Sequence, residues 1–165
     1  MIRVDHAGEY GAVRIYQGQI AVLGSRNGRS AIAGEVRDMA AQEKHHLETF
    51  DSLIRSEHAR PTALQPLWST SGYALGVATA LLGEKAAMAC TAAVEEVIDS
   101  HYAEQIGKLG EHSGLGKTIE AFREDEIAHR DRALAHGASE APAYRVLSAV
   151  IRAGCRIAIA LAKRI

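Results

Sequence analysis

Two copies of one pattern of acidic residues and histidines could do chemistry in this chain of 165 residues. Each copy is a lone Glu followed by Glu-x-x-His, 34 residues later in the first copy (9 to 43) and 31 in the second (95 to 126). The six residues are Glu9, Glu43, His46, Glu95, Glu126 and His129. This is the ligand set of a carboxylate-bridged di-iron centre in a four-helix bundle. One Glu-x-x-His is common by chance, but the doubled pattern predicts a two-metal site.

The predicted helices put these residues on apolar faces. Five helices are expected, at about 5–23, 30–57, 71–109 (with Gly83 as a candidate break), 117–136 and 142–165. In the second and fourth helices the Glu-x-x-His residues continue an apolar series that steps by three and four residues. Their side chains are therefore expected in the core. Several buried carboxylates would repel one another, and metal ions remove that cost.

Turn residues and prolines set the expected connections. Gly24–Gly28 is rich in turn formers, and Pro61 and Pro66 interrupt a long connection of the kind a bundle needs for a crossover. The segment 110–118 ends in Gly-Lys-Thr like a phosphate-binding loop, but position 111 is Glu and no strand precedes it. We interpret it as a loop that caps the fourth helix.

Neighbouring residues decide between close candidates for the metal ligands. Glu95 is preferred to Glu96, because the helix face of Glu96 is more polar. His46 is preferred to His45, because only His46 stands three residues after Glu43. His45 is expected in solvent.

Six further residues are candidates for a position near the ligands. His101 and Tyr102 either pack at the edge of the core or stand behind the ligands as a donor and a proton or electron relay. Tyr16, like Tyr10, is expected to pack. Asp5 and Asp125 each either cap a helix or bind a ligand histidine.

The bulk composition predicts one globular domain, with a core bundle at about 5–137 and a further helix at 142–165. Hydrophobic residues make up 47% and the net charge is −1, which gives no case for binding nucleic acid. Cys90 and Cys155 lie in apolar segments and are expected as buried thiols in a reducing compartment.

The last helix has an uneven charge distribution. Residues 141–165 contain five basic residues and no acidic one. Four of the five, Arg145, Arg152, Arg156 and Lys163, form a narrow stripe with apolar residues on the opposite side. The helix either packs on the bundle with its basic face in water or lies on an anionic membrane surface, and the absence of acids favours the membrane. Leu75–Leu82, preceded by Trp68 and Tyr73, is a second candidate for a membrane-facing surface.

Several segments resemble the demethoxyubiquinone hydroxylases of ubiquinone biosynthesis. They are 3–12, 66–68, 79–83, 87–91, 93–96, 141–144 and 153–156. The resemblance covers essentially the whole chain and implies an all-α, ferritin-like four-helix bundle with an additional C-terminal amphipathic helix. All six ligand positions of that family are present, and His101 matches a family histidine near the metal site.

The resemblance implies an O2-dependent monooxygenase with two iron ions. Its substrate would be the ring of a polyprenyl methoxy-methyl-benzoquinol, demethoxyubiquinol. NADH is the expected electron source without a dedicated binding domain, since the chain has no Gly-x-Gly-x-x-Gly.

The resemblance also implies where the protein acts and with what. We expect a peripheral protein on the inner face of a bacterial cell membrane or the matrix side of the mitochondrial inner membrane. A lipid-binding partner protein of ubiquinone biosynthesis is implied in eukaryotes, and the oligomeric state stays open between homo- and hetero-oligomers. The alternatives are a ferritin-like iron-oxidising or peroxide-reducing protein and a membrane scaffold for a quinone-biosynthesis complex.

Overall fold

The computed structural model describes residues 1–25, 30–110 and 113–165. Within these ranges it is all-α, as predicted, with one short 3-10 turn at Ala138–Glu140. The helices are α1 (Ile2–Leu23), α2 (Ala33–Ser56), α3 (Gln65–Leu82), α4 (Glu84–Leu109), α5 (Gly114–Ala135) and α6 (Tyr144–Ala162).

Four of these helices, α1, α2, α4 and α5, form the bundle that carries the predicted ligands. Helix α1 packs closely on α2, and α4 on α5, whereas the two pairs approach each other less closely. The wider spacing leaves room for side chains between the pairs. Helix α4 is the central helix, and its small buried residues, among them Ala86, Ala89 and Ala93, let neighbours approach from several sides.

The predicted helix 71–109 is in fact two helices. Gly83 has a φ of 126° and separates α3 from α4, so the candidate break is confirmed. The expected start at Ser71 is wrong, because α3 begins at Gln65 and Pro66 lies in its first turn. Proline suits that position, since the first turn has no intrahelical acceptor for its missing N–H. The crossover of the bundle is therefore itself a helix.

The loops that precede α2 and α5 are only partly described. Of the predicted turn at 24–28, only Gly24 and Ser25 lie within the described residues, and α2 begins at Ala33 rather than at residue 30. Ser113 caps α5 by accepting a hydrogen bond from the Gly116 N–H at 2.9 Å, so the expected capping role of this segment is confirmed, but the helix begins at Gly114 rather than at residue 117. Residues 111 and 112 of that predicted loop lie outside the described residues.

Helix α6 packs against α4 and α1 and leaves much of its apolar surface exposed. Ser148, Ile151 and Ala162 are buried, whereas Val146 and Val150 are each 65% exposed. Its predicted apolar side is thus divided between the bundle and the surface. No helix in the described ranges is long and apolar enough to cross a membrane.

Candidate metal centre

The six predicted ligand residues lie together in the middle of the bundle. Glu9 comes from α1, Glu43 and His46 from α2, Glu95 from α4, and Glu126 and His129 from α5. The exposed fraction of each is 0%. The rejected neighbours His45 and Glu96 are both exposed, as expected.

The donor atoms fall into two overlapping groups of four residues. One group is Glu9, Glu43, His46 and Glu126, and the other is Glu43, Glu95, Glu126 and His129. Within each group, one donor atom per residue lies within 4.8 Å of all the others. Glu43 and Glu126 belong to both groups, so their two carboxylate oxygens can bridge two adjacent ions.

Both histidines turn Nδ1 towards the carboxylates. His46 Nδ1 is 3.3 Å from Glu126 Oε1, and His129 Nδ1 is 2.9 Å from Glu43 Oε1. Phe122 stacks on the His46 ring with the centroids 4.0 Å apart. His46 can therefore give its Nδ1 to one ion and His129 its Nδ1 to the other.

The outward Nε2 atoms of the two histidines bind residues on the opposite motif. His46 Nε2 lies 3.1 Å from Asp125 Oδ2, and His129 Nε2 lies 2.9 Å from Gln42 Oε1. Asp125 thus takes the second of its two predicted roles. Our sequence reasoning missed Gln42, although it precedes Glu43 as Asp125 precedes Glu126. Such partners fix the orientation and tautomer of a ligand histidine.

Two tyrosines donate hydrogen bonds to the remaining carboxylates. Tyr16 donates to Glu95 Oε1 at 2.7 Å, and Tyr102 donates to Glu9 Oε1. Tyr16 does pack in the core, but packing alone describes it incompletely. Burial, followed by the nearby carboxylates, raises the pKa of both phenols well above the usual value, so both keep their protons at neutral pH.

The other three residues with expected roles are His101, Asp5 and Tyr10. His101 Nε2 lies 3.1 Å from Asp5 Oδ1 and also contacts Gln105, and neither partner is one of the six candidate ligands. Both alternatives for Asp5 are wrong, because Met1 precedes α1 as its cap residue and the partners of Asp5 are His101 and Gln105. Tyr10 packs against His6, as expected.

The inward atoms have no hydrogen bond of proper geometry. They are Glu9 Oε2, Glu95 Oε2, both oxygens of Glu43 and of Glu126, and Nδ1 of both histidines. Burial and then the facing carboxylates raise the pKa of Glu43 and Glu126 well above the ordinary value. Burial lowers the pKa of His129 to about 4, so its imidazole is neutral at pH 7. Oxygen-rich donors with one imidazole per ion suit two iron ions.

An apolar groove of about 440 Å³ lies between α1, α3, α4 and α6. Its lining includes Gly8 and Ala12 on either side of Glu9, and Val94 next to Glu95. Trp68 and Leu75 line it from α3, and Ile151 and Ile159 from α6. An apolar molecule in this groove would therefore contact the two helices that carry Glu9 and Glu95.

The sequence matches a known family over residues 1–162, described as ubiquinone biosynthesis protein COQ7. The chain belongs to this family. It is 56% identical over 165 residues to the 3-demethoxyubiquinol 3-hydroxylase of Rhodospirillum rubrum, covering 99% of this chain and 76% of that protein. It is 51% identical over 170 residues to the mitochondrial NADPH-dependent 3-demethoxyubiquinone 3-hydroxylase of Homo sapiens, with 100% and 76% covered.

The similarity extends to a more distant eukaryote. The mitochondrial 5-demethoxyubiquinone hydroxylase of Saccharomyces cerevisiae is 40% identical over 181 residues, covering 100% of this chain and 77% of that protein. The family resemblance that the sequence segments indicated is therefore confirmed.

Proposed function

We propose that this COQ7-family chain is an O2-dependent monooxygenase that hydroxylates the ring of a polyprenyl methoxy-methyl-benzoquinol, demethoxyubiquinol, in ubiquinone biosynthesis. The observation that carries the proposal is the pair of four-residue donor groups sharing Glu43 and Glu126 beside an apolar groove. The names of the similar proteins supply the substrate class.

The six donor residues would hold two iron ions, with Glu43 and Glu126 as the bridging carboxylates. When bound, the irons supply activation of O2. Asp125 and Gln42 keep the rings of His46 and His129 turned inward through their Nε2 atoms. The phenols of Tyr16 and Tyr102 hold Glu95 and Glu9 in fixed orientations.

The groove would bind the substrate. Its lining is almost entirely apolar, which suits a prenyl tail, and part of it comes from α1 and α4, the helices that carry Glu9 and Glu95. Buried aliphatic side chains also exclude water from the reacting ring, which protects activated oxygen from side reactions.

The reaction needs a two-electron reductant. One oxygen atom of O2 enters the ring C–H bond to give C–OH, and the other leaves as water with two protons and two electrons. The human protein's name calls it NADPH-dependent, and we expected NADH for this chain. A reduced nicotinamide is the proposed donor in either case.

The peripheral membrane position stays part of the proposal. Helices α3 and α6 border the groove, and both expose large apolar residues, namely Leu67, Leu81, Leu82, Val146, Val150 and Ile157. A surface of this kind lets a prenyl tail pass from a bilayer into the groove. The inner face of a bacterial membrane, or the matrix side of the mitochondrial inner membrane, is the proposed location. Association with a lipid-binding partner in eukaryotes, and a homo- or hetero-oligomeric state, remain predictions.

The test combines iron content with turnover. The purified chain is loaded anaerobically with Fe(II), iron per chain is measured, and demethoxyubiquinol is supplied with O2 and either NADH or NADPH. The proposal predicts two irons per chain and an iron-dependent hydroxylated product. Iron oxidation without any ring hydroxylation would contradict it and favour the ferritin-like alternative.

A further inference from the structure

Two glycines of α1 line the groove without a structural need for glycine. A Cβ atom on Gly8 or Gly11 would have no heavy atom from outside its own helix backbone within 4 Å, and neither residue has a positive φ. In a helix interior each glycine lowers the stability of the helix by roughly 0.5–1 kcal/mol relative to alanine. Gly72, across the groove on α3, is different, because its Cβ would lie only 2.9 Å from the Gly11 carbonyl oxygen. Gly8 and Gly11 therefore keep space open, whereas Gly72 allows two helices to touch.

The open space lies on the groove side of α1. At about 100° per residue, Gly8 and Gly11 share a face with Val4, Ala12 and Ile15, which also line the groove. Methyl groups at positions 8 and 11 would therefore project into the groove.

A buried donor without a partner lies in the same groove. The Nε1 atom of Trp68 is buried and has no hydrogen-bond partner, and Trp68 packs against Val4 and Ala7 on α1. Leaving such an N–H unsatisfied is unfavourable by about 1–3 kcal/mol. A molecule in the groove with an oxygen atom near Trp68 would remove that cost, and the ring of a quinol or quinone has such oxygens.

We propose that Gly8, Gly11 and Trp68 form the binding site for the substrate's head group. The flat ring lies against the two glycines, and one of its oxygens accepts a hydrogen bond from Trp68 Nε1. The inference rests on the proposed function and adds to it the residues that select the ring. The prenyl tail then continues between α3 and α6.

The single tryptophan of the chain makes a direct test possible, since its fluorescence reports on the groove. A short-tailed demethoxyubiquinone is titrated into the native chain, Gly8→Ala, Gly11→Ala and the control Gly107→Ala, and thermal melting of each is recorded. Gly107 is a helical glycine on α4 that also has open space at its Cβ but does not line the groove.

We expect all three alanine variants to melt at or above the native temperature, because alanine favours the helix. The Kd should rise about tenfold or more for Gly8→Ala and Gly11→Ala, the usual effect of one misplaced methyl group in a fitted pocket. The Kd of Gly107→Ala should be unchanged. A quinone with the same tail but without the methoxy and methyl groups should restore much of the lost affinity.

Trp68→Phe keeps an aromatic ring and removes the N–H. Because this variant no longer has the fluorophore, its substrate binding is measured by the KM for ring hydroxylation. The KM should rise several-fold.

Several outcomes would overturn the proposed head-group site. One is an unchanged Kd in both Gly8→Ala and Gly11→Ala. Another is a lower melting temperature in both, since the glycines would then be needed for helix packing. An equal loss with the smaller ring would place the clash at the tail, and an unchanged KM in Trp68→Phe would remove its role. If the native chain hydroxylates the quinol in any of these cases, the proposed function still stands. A native, iron-loaded chain that neither binds nor hydroxylates the quinol would overturn both.

Discussion

At the scale of single residues, the two Glu-x-x-His motifs support each other. The residue before each motif's glutamate binds the histidine of the other motif, Asp125 to His46 and Gln42 to His129. Burial alone would lower the pKa of His46, but Glu9 and Asp125 outweigh burial and raise it. Asp125 therefore both orients this ligand and increases its basicity.

Replacing Asp125→Asn should weaken metal binding. The ring of His46 loses a charged acceptor at Nε2, and loss of such a partner typically lowers metal affinity about 10–100-fold. Fe(II) titration under anaerobic conditions measures the change. The matched control is Asp131→Asn on the same helix, because Asp131 contacts Arg130 at the surface. Equal affinities in the native chain and Asp125→Asn would refute the positioning role.

The stability of the metal-free chain should fall as the pH rises above about 6.5. Burial and neighbouring carboxylates raise the pKa of Glu43 and Glu126, and the pKa of His46 is also raised, so the folded chain retains protons that the unfolded chain has released. The opposite contribution of His129, whose pKa falls from 6.5 to about 4, is complete above pH 6.5.

Denaturant unfolding of chelator-treated protein at several pH values above 6.5 measures the slope of the free energy of unfolding against pH. Saturating Fe(II) is the control, because metal replaces the protons and binds more tightly as the pH rises, so the slope should reverse. A metal-free chain whose free energy of unfolding rises with pH above 6.5 would contradict the clustered carboxylates.

The clustering of the six candidate ligands could be predicted because their spacing and their apolar neighbours both come from the sequence. The outward partners were harder to predict, since they depend on how two helices face each other. For this reason two interpretations of Asp125 stayed open, and no role was predicted for Gln42. Both predicted roles of Asp5 failed because its partners, His101 and Gln105, come from a helix about 100 residues later.

At the scale of the helices, α3 lies directly on α1. Cβ atoms on Gly18 and Gly76 would each overlap backbone atoms of the opposite helix. This close contact fixes α3 along one wall of the groove. The sequence indicated the break at Gly83 but not the early start of α3, because Pro66 fits equally well in a loop and in the first turn of a helix.

Gly76→Ala should destabilise the fold. Its new methyl group would meet the Ile15 carbonyl oxygen, and overpacking of this kind typically lowers the free energy of unfolding by about 1–3 kcal/mol. Denaturant unfolding measures the change. Gly107→Ala, with open space at its Cβ, should instead gain roughly 0.5–1 kcal/mol. If Gly76→Ala proves as stable as Gly107→Ala, the helices are not in backbone contact there.

At the scale of the whole molecule, most of the exposed large apolar side chains lie on α3 and α6, and residues 141–165 contain five basic residues and no acidic one. The basic stripe of α6 is not uniform, because Arg152 binds Glu96 on α4 at 3.0 Å while Arg145 and Arg156 are exposed. The sequence predicted an amphipathic helix, but its division between the bundle and the surface depends on how α6 packs on α4. Arg145 and Arg156 are therefore the better probes of membrane binding.

Charge reversal of Arg145 and Arg156 to Glu should weaken binding to anionic liposomes. A basic residue near such a surface contributes about 1 kcal/mol, so each reversal should lower the partition at least roughly fivefold at low salt. Liposome sedimentation measures this. Lys117→Glu on α5 is the control, since α5 makes no extensive contact with α3 or α6. Unchanged partition of the Arg145 and Arg156 variants would favour a helix that packs on the bundle with its basic face in water.

The origin of the new ring oxygen tests the whole account most directly. The iron-loaded chain is given demethoxyubiquinol, a reduced nicotinamide and isotopically labelled O2, and the product is analysed by mass spectrometry. We predict one labelled oxygen atom in the ring of the native enzyme's product. Glu126→Ala should keep its helical circular dichroism but lose bound iron and form no product. Unlabelled product from the native chain, or labelled product from an iron-free Glu126→Ala, would contradict hydroxylation at this carboxylate-bridged centre.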